Sequence, residues 1–212
     1  TGALPVETTS PTLRDLMRRV LLTAATAPGG KRMPGSFMTL RLRQLVQMGE
    51  IAAATELFAN VPGRDSNEAL VTLEADARFL LNDNARACTL ASAQVEHSSN
   101  DYWQKAFIFC QALAGEKGKA ALGVDLLREV GSSDKAFLTL AADIASGRST
   151  KLATLADPTP LHLAMARVAK DELPKDVLNT RSPALLRAIG TNPYAPVDVR
   201  LEAAERAESS GA

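Results

Sequence analysis

The chain has 212 residues with 24 basic and 24 acidic side chains, so its formal net charge at pH 7 is zero and gives no overall field to attract nucleic acid. Hydrophobic residues make up 46% of the chain and charged residues 23%, a composition that excludes an intrinsically disordered protein. No stretch of about 18 apolar residues occurs, so the sequence predicts no membrane span. Aromatic residues make up only 4%, which favours closely packed helices over a β-sandwich.

The beginning of the chain resembles the end of a linker. Residues 1–9 are rich in threonine, proline and small side chains, a composition typical of linkers. The chain starts at Thr1 instead of methionine, so we expect further sequence upstream, where an export signal would lie. The sequence therefore leaves both the cytoplasm and the periplasm open as the compartment.

Ser10-Pro11 predicts the start of the first helix, because serine caps free backbone amides and proline at the first helical position gives up no hydrogen bond. Positive charge is concentrated nearby: the first 45 residues carry seven basic and two acidic side chains. Solvated helix faces are the simpler interpretation. The alternative is that the opposed charges steer a partner or join copies end to end, with Arg41 and Arg43 as candidate partner-binding residues.

A helical-hairpin turn then occurs three times at a spacing of roughly 33 residues. Its copies are Met48–Leu57, Leu81–Leu90 and the degenerate Ala114–Leu122. Each copy has a turn former followed by a helix that carries an alanine at a fixed position, namely Ala54, Ala87 and Ala120. Such a period is the signature of an α-solenoid, whose units stack on their neighbours because none can bury its apolar face alone. The sequence predicts hairpins over about 36–60, 65–94 and 101–130, with the second opened by Asp65 and Glu68 in a capping box.

Beyond Gly131 the rhythm changes. A helix capped by Ser133 is predicted to run through Ile144, and successive short helices then begin at Thr159-Pro160, Pro174, Ser182-Pro183 and Pro196. Terminal repeats of solenoids are commonly atypical. We therefore divide the chain into a linker end at 1–9, a helical-hairpin solenoid at 10–147 and a divergent helical continuation at 148–212 that packs on the solenoid.

The first hairpin resembles a tetratricopeptide repeat. The pattern of that family, a glycine turn followed by an alanine, a large apolar residue and a closing proline, is matched by Gly49, Ile51, Ala54, Phe58 and Pro62, and Ala87 with Leu90 repeats part of it. The resemblance covers about residues 36–130. It implies an all-α, right-handed α-α superhelix of stacked hairpins. It also implies a protein-interaction scaffold whose concave face, lined by the first helix of each pair, holds an extended peptide or another protein.

Candidate catalytic chemistry is sparse. His97 and His162 lie far apart, and neither belongs to a metal-ligand spacing, so we expect structural or solvent-facing roles for both. A nucleophile–base pair of Cys110 with His97 would require the loop to fold back on a helix, and the glycine pairs lack the motif of a phosphate-binding loop. The sequence accordingly predicts no enzyme activity, no cofactor and no metal.

The two cysteines, Cys88 and Cys110, fall on consecutive predicted helices. Their alanine, leucine and phenylalanine neighbours are typical of buried free thiols, which we expect here. Antiparallel packing places them on facing surfaces, so a disulfide is the alternative, and it would indicate an oxidising compartment.

Most of the scarce aromatic residues gather in one predicted helix, as Tyr102, Trp103, Phe107 and Phe109. The simpler interpretation is a helix buried on two sides. In the alternative, Tyr102 or Trp103 anchors a partner on the floor of a groove, since aromatic side chains supply hot spots in protein interfaces. These two residues join Arg41 and Arg43 as candidate partner-binding residues.

The sequence thus predicts a non-enzymatic helical-repeat scaffold that binds a protein or peptide partner, in an oligomeric state that it leaves open. The alternative is a helical accessory or regulatory region of a larger enzyme or envelope assembly. RNA binding by an array of the pentatricopeptide kind is disfavoured, because such arrays need basic grooves and this chain is negative after its first 45 residues. A segment after Thr150 that crossed the concave face would block the predicted peptide groove.

Overall fold

The computed structural model describes residues 8, 10–23, 37–61 and 63–210. Within these ranges the prediction of an all-α protein is confirmed, since a single bridge between Lys151 and Glu172 is all the β-structure present. The helices are α1 Pro11–Leu22, α2 Phe37–Gln47, α3 Ile51–Phe58, α4 Glu68–Leu80, α5 Asn84–Gln94, α6 Asp101–Leu113, α7 Lys117–Glu129, α8 Lys135–Ser146, α9 Pro160–Ala169, α10 Pro183–Gly190 and α11 Val197–Ser209, with 3₁₀ turns at Arg64–Ser66 and Lys175–Asn179.

Two of the predicted features lie outside the described residues: the linker at 1–9, apart from Thr8, and Pro62 of the repeat pattern. Of the helices in the described ranges, none combines the length and apolar character needed to cross a bilayer.

The three predicted hairpins form as α2–α3, α4–α5 and α6–α7, and the same local motif makes each turn. Gly49, Asn82 and Gly115 adopt positive φ angles of 76°, 59° and 78°, a conformation that glycine and, to a lesser degree, asparagine tolerate. The amide of the next residue then donates to a carbonyl five positions back, as Glu50 N does to Leu45 O at 2.9 Å. This Schellman motif satisfies carbonyls left free at the helix end and reverses the chain.

The repeated alanines occupy equivalent places. Ala54, Ala87 and Ala120 are 0%, 0% and 2% exposed, each on the second helix of its hairpin. A small side chain at this point lets two helices approach closely. Because each helix contacts its neighbour in the chain from α1 to α9, the arrangement is compatible with a helical-repeat fold.

Helix α4 shows how the apolar surface is buried between neighbours. Its residues Leu70 and Ala77 belong to a cluster formed with α1, α2 and α3. Val71, Ala75 and Phe79 of the same helix belong to a second cluster that continues through α5–α11. The two clusters meet on α4, so this helix is buried between the first hairpin and the helices that follow it.

Several predicted helix starts are confirmed, and two are corrected. Ser10, Thr159 and Ser182 cap α1, α9 and α10 through their side-chain oxygens. The cap of α4 is Asn67, whose side chain accepts from Leu70 N at 3.3 Å, and not Asp65, because a 3₁₀ turn at Arg64–Ser66 precedes the helix. Helix α8 is capped by Asp134 instead of Ser133.

The C-terminal segment packs on the side of the hairpins formed by their first helices. Helix α9 contacts α4 and α8, and α10 contacts α2, α4 and α9. Helix α11 packs against α10 so closely that a Cβ at Gly190 would lie 3.3 Å from the backbone nitrogen of Ala204. The first-helix side of the hairpins is therefore not open along α2 and α4.

Buried carboxylates hold the segment between α8 and α9. Asp171 is fully buried and accepts from the Thr150 amide at 2.9 Å. The Thr150 hydroxyl donates to Asp143, which is also buried. Burial, together with the nearby charge of Asp143, raises the pKa of Asp171 to about 6. Asp171 therefore titrates in a range where an ordinary aspartate is fully ionised.

Candidate docking groove on helices α6 and α7

The predicted aromatic anchors lie between α4 and α6. Trp103 is fully buried, and its indole Nε1 donates to Glu68 at 3.1 Å. The Tyr102 hydroxyl donates to Asp76 Oδ1 at 2.8 Å, and burial of this pair raises the pKa of Asp76 to about 7. These hydrogen bonds fasten α6 to α4, so in this structure the Trp103 side chain presents no surface to a partner.

The predicted arginines lie on α2. Arg41 is 4% exposed, and its guanidinium donates to the Leu21 carbonyl at 2.7 Å and to the Thr23 carbonyl at 2.8 Å. It therefore satisfies carbonyls at the end of α1. Arg43 is exposed. Since Tyr102 and Trp103 belong to α6, the structure does not bring the four candidate residues together in one site.

A different candidate binding surface lies on α6 and α7. A groove of about 430 Å³ runs between these helices and the end of α5. Leu122, Leu126 and Val130 lie at its edge with 62%, 53% and 78% of their surface exposed. Spaced four residues apart, they form one line along α7. Large apolar side chains exposed in a contiguous line mark interaction surfaces in soluble proteins.

The floor of the groove is set by close packing of the two helices. A Cβ added at Gly123 would lie 2.6 Å from Cγ1 and 2.9 Å from Cδ1 of Ile108. The absence of a side chain at Gly123 thus allows α7 to lie directly on α6. Gln104 and Gln111 line the same groove and offer amide groups that can donate and accept hydrogen bonds.

A disulfide joins Cys88 on α5 to Cys110 on α6, with Cα atoms 5.5 Å apart. The expectation of free thiols was therefore wrong. Apolar neighbours indicate burial but do not tell a buried thiol from a buried disulfide, whereas antiparallel packing of α5 on α6 places the two side chains opposite each other. Phe107 and Gln111 line both the groove and a depression beside the disulfide, so the bridge fixes the edge of the groove.

Neither histidine lines the groove. His97 is exposed in the loop after α5. His162 closes the capping box of α9, and its Nε2 lies 3.1 Å from Asp134 Oδ1. Although burial acts to raise it, contact with His162 and Lys105 holds the pKa of Asp134 well below its usual range. Within the described residues, no group of three or more His, Cys, Asp or Glu side chains is arranged to hold a metal ion.

Sequence reasoning missed this groove, although its signal was present. Leu122, Leu126 and Val130 repeat every four residues, while Val124 and Leu127 fill the buried side of the same helix. A helix with apolar residues on two faces needs two apolar neighbours.

Comparison of the chain with family models, with curated proteins and with solved structures gave no match.

Proposed function

We propose that this chain is a non-enzymatic helical-repeat scaffold of the tetratricopeptide kind, a right-handed α-α superhelix, that binds a partner protein in the groove between α6 and α7. The observation that supports this most directly is the exposed line of Leu122, Leu126 and Val130 beside an apolar floor. The occupant that fits is an amphipathic helix of the partner.

The dimensions of the groove favour a helix over an extended peptide. The exposed line runs from Leu122 to Val130, the residue after α7, a distance of eight helical steps or about 12 Å at a rise of about 1.5 Å per residue. Apolar residues of a helix at positions i, i+3 or i+4, and i+7 cover the same length and lie on one face. Covering three half-exposed side chains contributes of order 1 kcal/mol each, which is sufficient for a specific contact that can still dissociate.

The concave face implied by the family resemblance is a less suitable place. Helices α9 and α10 already contact α2 and α4 there, and Arg187 of α10 donates to the Gly49 carbonyl at 3.3 Å. A peptide on that face would have to displace these helices together with their buried apolar side chains. Docking in the groove between α6 and α7 requires no such displacement of the described helices.

The disulfide supports a second candidate, a helical accessory region of an envelope assembly. Disulfides persist in oxidising compartments such as the bacterial periplasm and are rare in reducing ones, so the Cys88–Cys110 bridge favours a location outside the cytoplasm. The groove would then hold another component of that assembly, and the proposed partner chemistry remains the same.

A display library of amphipathic helical peptides tests the proposal. We expect selected peptides to carry apolar residues at helical spacing. We expect them to lose binding to the Leu126→Lys variant and to keep it with Leu201→Lys, a matched control at an exposed leucine of α11. Thermal unfolding of both variants should match the wild type, since surface substitutions usually change stability by no more than about 0.5 kcal/mol.

Equal binding to Leu126→Lys and to the wild type would refute the groove as the docking site, as would a selection that returned no helical binder. Sedimentation checks a different occupant. Self-association that Leu126→Lys abolishes would make a second copy of this chain the occupant, and the proposed partner would be wrong.

A further inference from the structure

A second pocket lies at the seam between the α2–α3 turn and the C-terminal helices. It has a volume of about 320 Å³ and is lined by residues 49–52 at the start of α3, by the end of α4, and by α9 and α10. The described structure brings two arginines here, Arg167 from α9 and Arg187 from α10. The pocket is separate from the groove on α6 and α7.

Neither arginine has a carboxylate partner among the described residues. In the part of the chain that the structure describes, Arg167 donates only to the Ala188 carbonyl and the Thr191 hydroxyl, both at 3.4 Å, and Arg187 donates only to the Gly49 carbonyl at 3.3 Å. Burial lowers the pKa of Arg167, because the charged form is desolvated without a compensating anion. Each guanidinium keeps N–H donors that can bind an oxyanion.

The start of α3 adds further donors. Its cap residue Glu50 makes no side-chain hydrogen bond to the first turn, and within the described structure the amides of Ile51 and Ala52 have no acceptor. Such amides carry the partial positive charge of a helix N-terminus and favour anions. The Glu50 carboxylate does not oppose this, because Arg14 and Arg18 neutralise it at 3.5 and 3.1 Å.

The remaining wall is apolar, formed by Leu80, Leu81, Ala184 and Ala188. We propose that this pocket binds a small organic anion, an apolar body that carries one carboxylate or phosphate head. The guanidinium groups of Arg167 and Arg187 and the first-turn amides of α3 hold the head, and the alanine and leucine side chains contact the body. The site joins the first hairpin to the C-terminal helices, so its ligand bridges the two parts of the chain.

Calorimetric titration of the whole protein with four probes tests the assignment. Hexanoate and hexyl phosphate carry the two possible heads on the same body, hexanol lacks the charge, and inorganic phosphate lacks the body. We expect saturable binding of hexanoate or hexyl phosphate and much weaker binding of the other two. Amide resonances of Ile51 and Ala52 should shift with the same midpoint.

Loss of one guanidinium should weaken binding by about tenfold or more, as expected for a charge-assisted hydrogen bond. The variants are Arg187→Gln, whose side chain is exposed, and Arg167→Gln. The matched control is Arg86→Gln on α5, which is exposed and paired with Asp83. Binding by Arg86→Gln and by the groove variant Leu126→Lys should equal that of the wild type, so this test is independent of the docking proposal.

Three results would overturn the inference: no saturable binding of either amphiphilic anion, hexanol bound as tightly as hexanoate and hexyl phosphate, or full affinity retained in folded Arg187→Gln. Inorganic phosphate bound as tightly as hexyl phosphate would overturn the role of the apolar wall. If hexanoate binds and hexyl phosphate does not, the head is a carboxylate, and the reverse result makes it a phosphate.

Discussion

The contact between Gly123 and Ile108 gives the sharpest test of the structure, because the chain supplies its own control. The substitution Gly123→Ala places a methyl group where Ile108 Cγ1 would be 2.6 Å away. Gly118 lies on the same helix, and a Cβ there meets nothing within 4 Å. Gly118→Ala therefore makes the same chemical change without the contact.

The expected magnitudes follow from two opposing effects. Alanine is favoured over glycine inside a helix by about 1 kcal/mol, so Gly118→Ala should leave stability unchanged or raise it by up to that amount near the helix start. At Gly123 the same gain is opposed by overpacking, which typically costs about 1–3 kcal/mol. The overlap involves Cγ1 as well as the movable end of Ile108, so relief requires a rotamer change or a shift of α7. We therefore expect Gly123→Ala to be less stable than Gly118→Ala, by up to about 3 kcal/mol.

Urea unfolding of the two oxidised variants, followed by far-ultraviolet circular dichroism, measures this difference from the midpoints when the slopes are equal. Peptide binding adds a second readout, because a displaced α7 changes the floor of the groove. Equal stability of Gly123→Ala and Gly118→Ala would refute the close α6–α7 contact, and the shape assigned to the groove would fall with it.

Two further predictions concern the disulfide and the buried carboxylates. Reduction of the disulfide should lower the free energy of unfolding by about 3 kcal/mol, the value expected for a bridge between residues 22 apart. The double variant Cys88→Ala/Cys110→Ala cannot respond to reductant. The same loss of stability in this variant would show that the missing bridge causes the loss. The pKa of Asp171 is raised to about 6 from 3.8, so the folded state binds this proton more tightly than the unfolded chain does. Proton binding by Asp171 therefore stabilises the folded state, and this stabilisation is lost as pH rises from about 4 to about 6. Asp171→Asn should flatten that slope in unfolding experiments across this range, and a slope equal to that of the wild type would contradict the assignment.

The hairpins could be predicted because their signals are local. A turn residue that tolerates positive φ, such as Gly49 or Asn82, ends one helix and starts the next within a few positions, and the hydrogen bonds involved join residues five apart. The cap of α4 was misplaced for a related reason. Asp65 and Asn67 are both good caps by residue type, and only the intervening 3₁₀ turn decides between them.

The candidate sites could not be predicted because contacts distant in sequence make them. Arg187 meets Gly49 across 138 positions, and nothing near either residue in the sequence indicates the other. The disulfide depends on how α5 faces α6, which the spacing of Cys88 and Cys110 permits without requiring. The buried Arg41 shows the same limit, since its role at the end of α1 depends on a carbonyl 20 residues away. From its charge alone, Arg41 is predicted to lie on the surface.

The repeat itself supplies the strongest argument that the exposed leucines of α7 are more than a by-product of stacking. Aligning the three buried alanines of the second helices puts equivalent positions 33 residues apart. The positions equivalent to Leu122 and Leu126 are exposed in the other two hairpins as well, and they carry Thr89 and Ala93 in α5 and Glu56 and Asn60 in and just after α3. Stacking therefore tolerates polar or small residues at these places. Burial against the described residues does not account for large apolar side chains in the third hairpin, whereas the partner contact that we propose would.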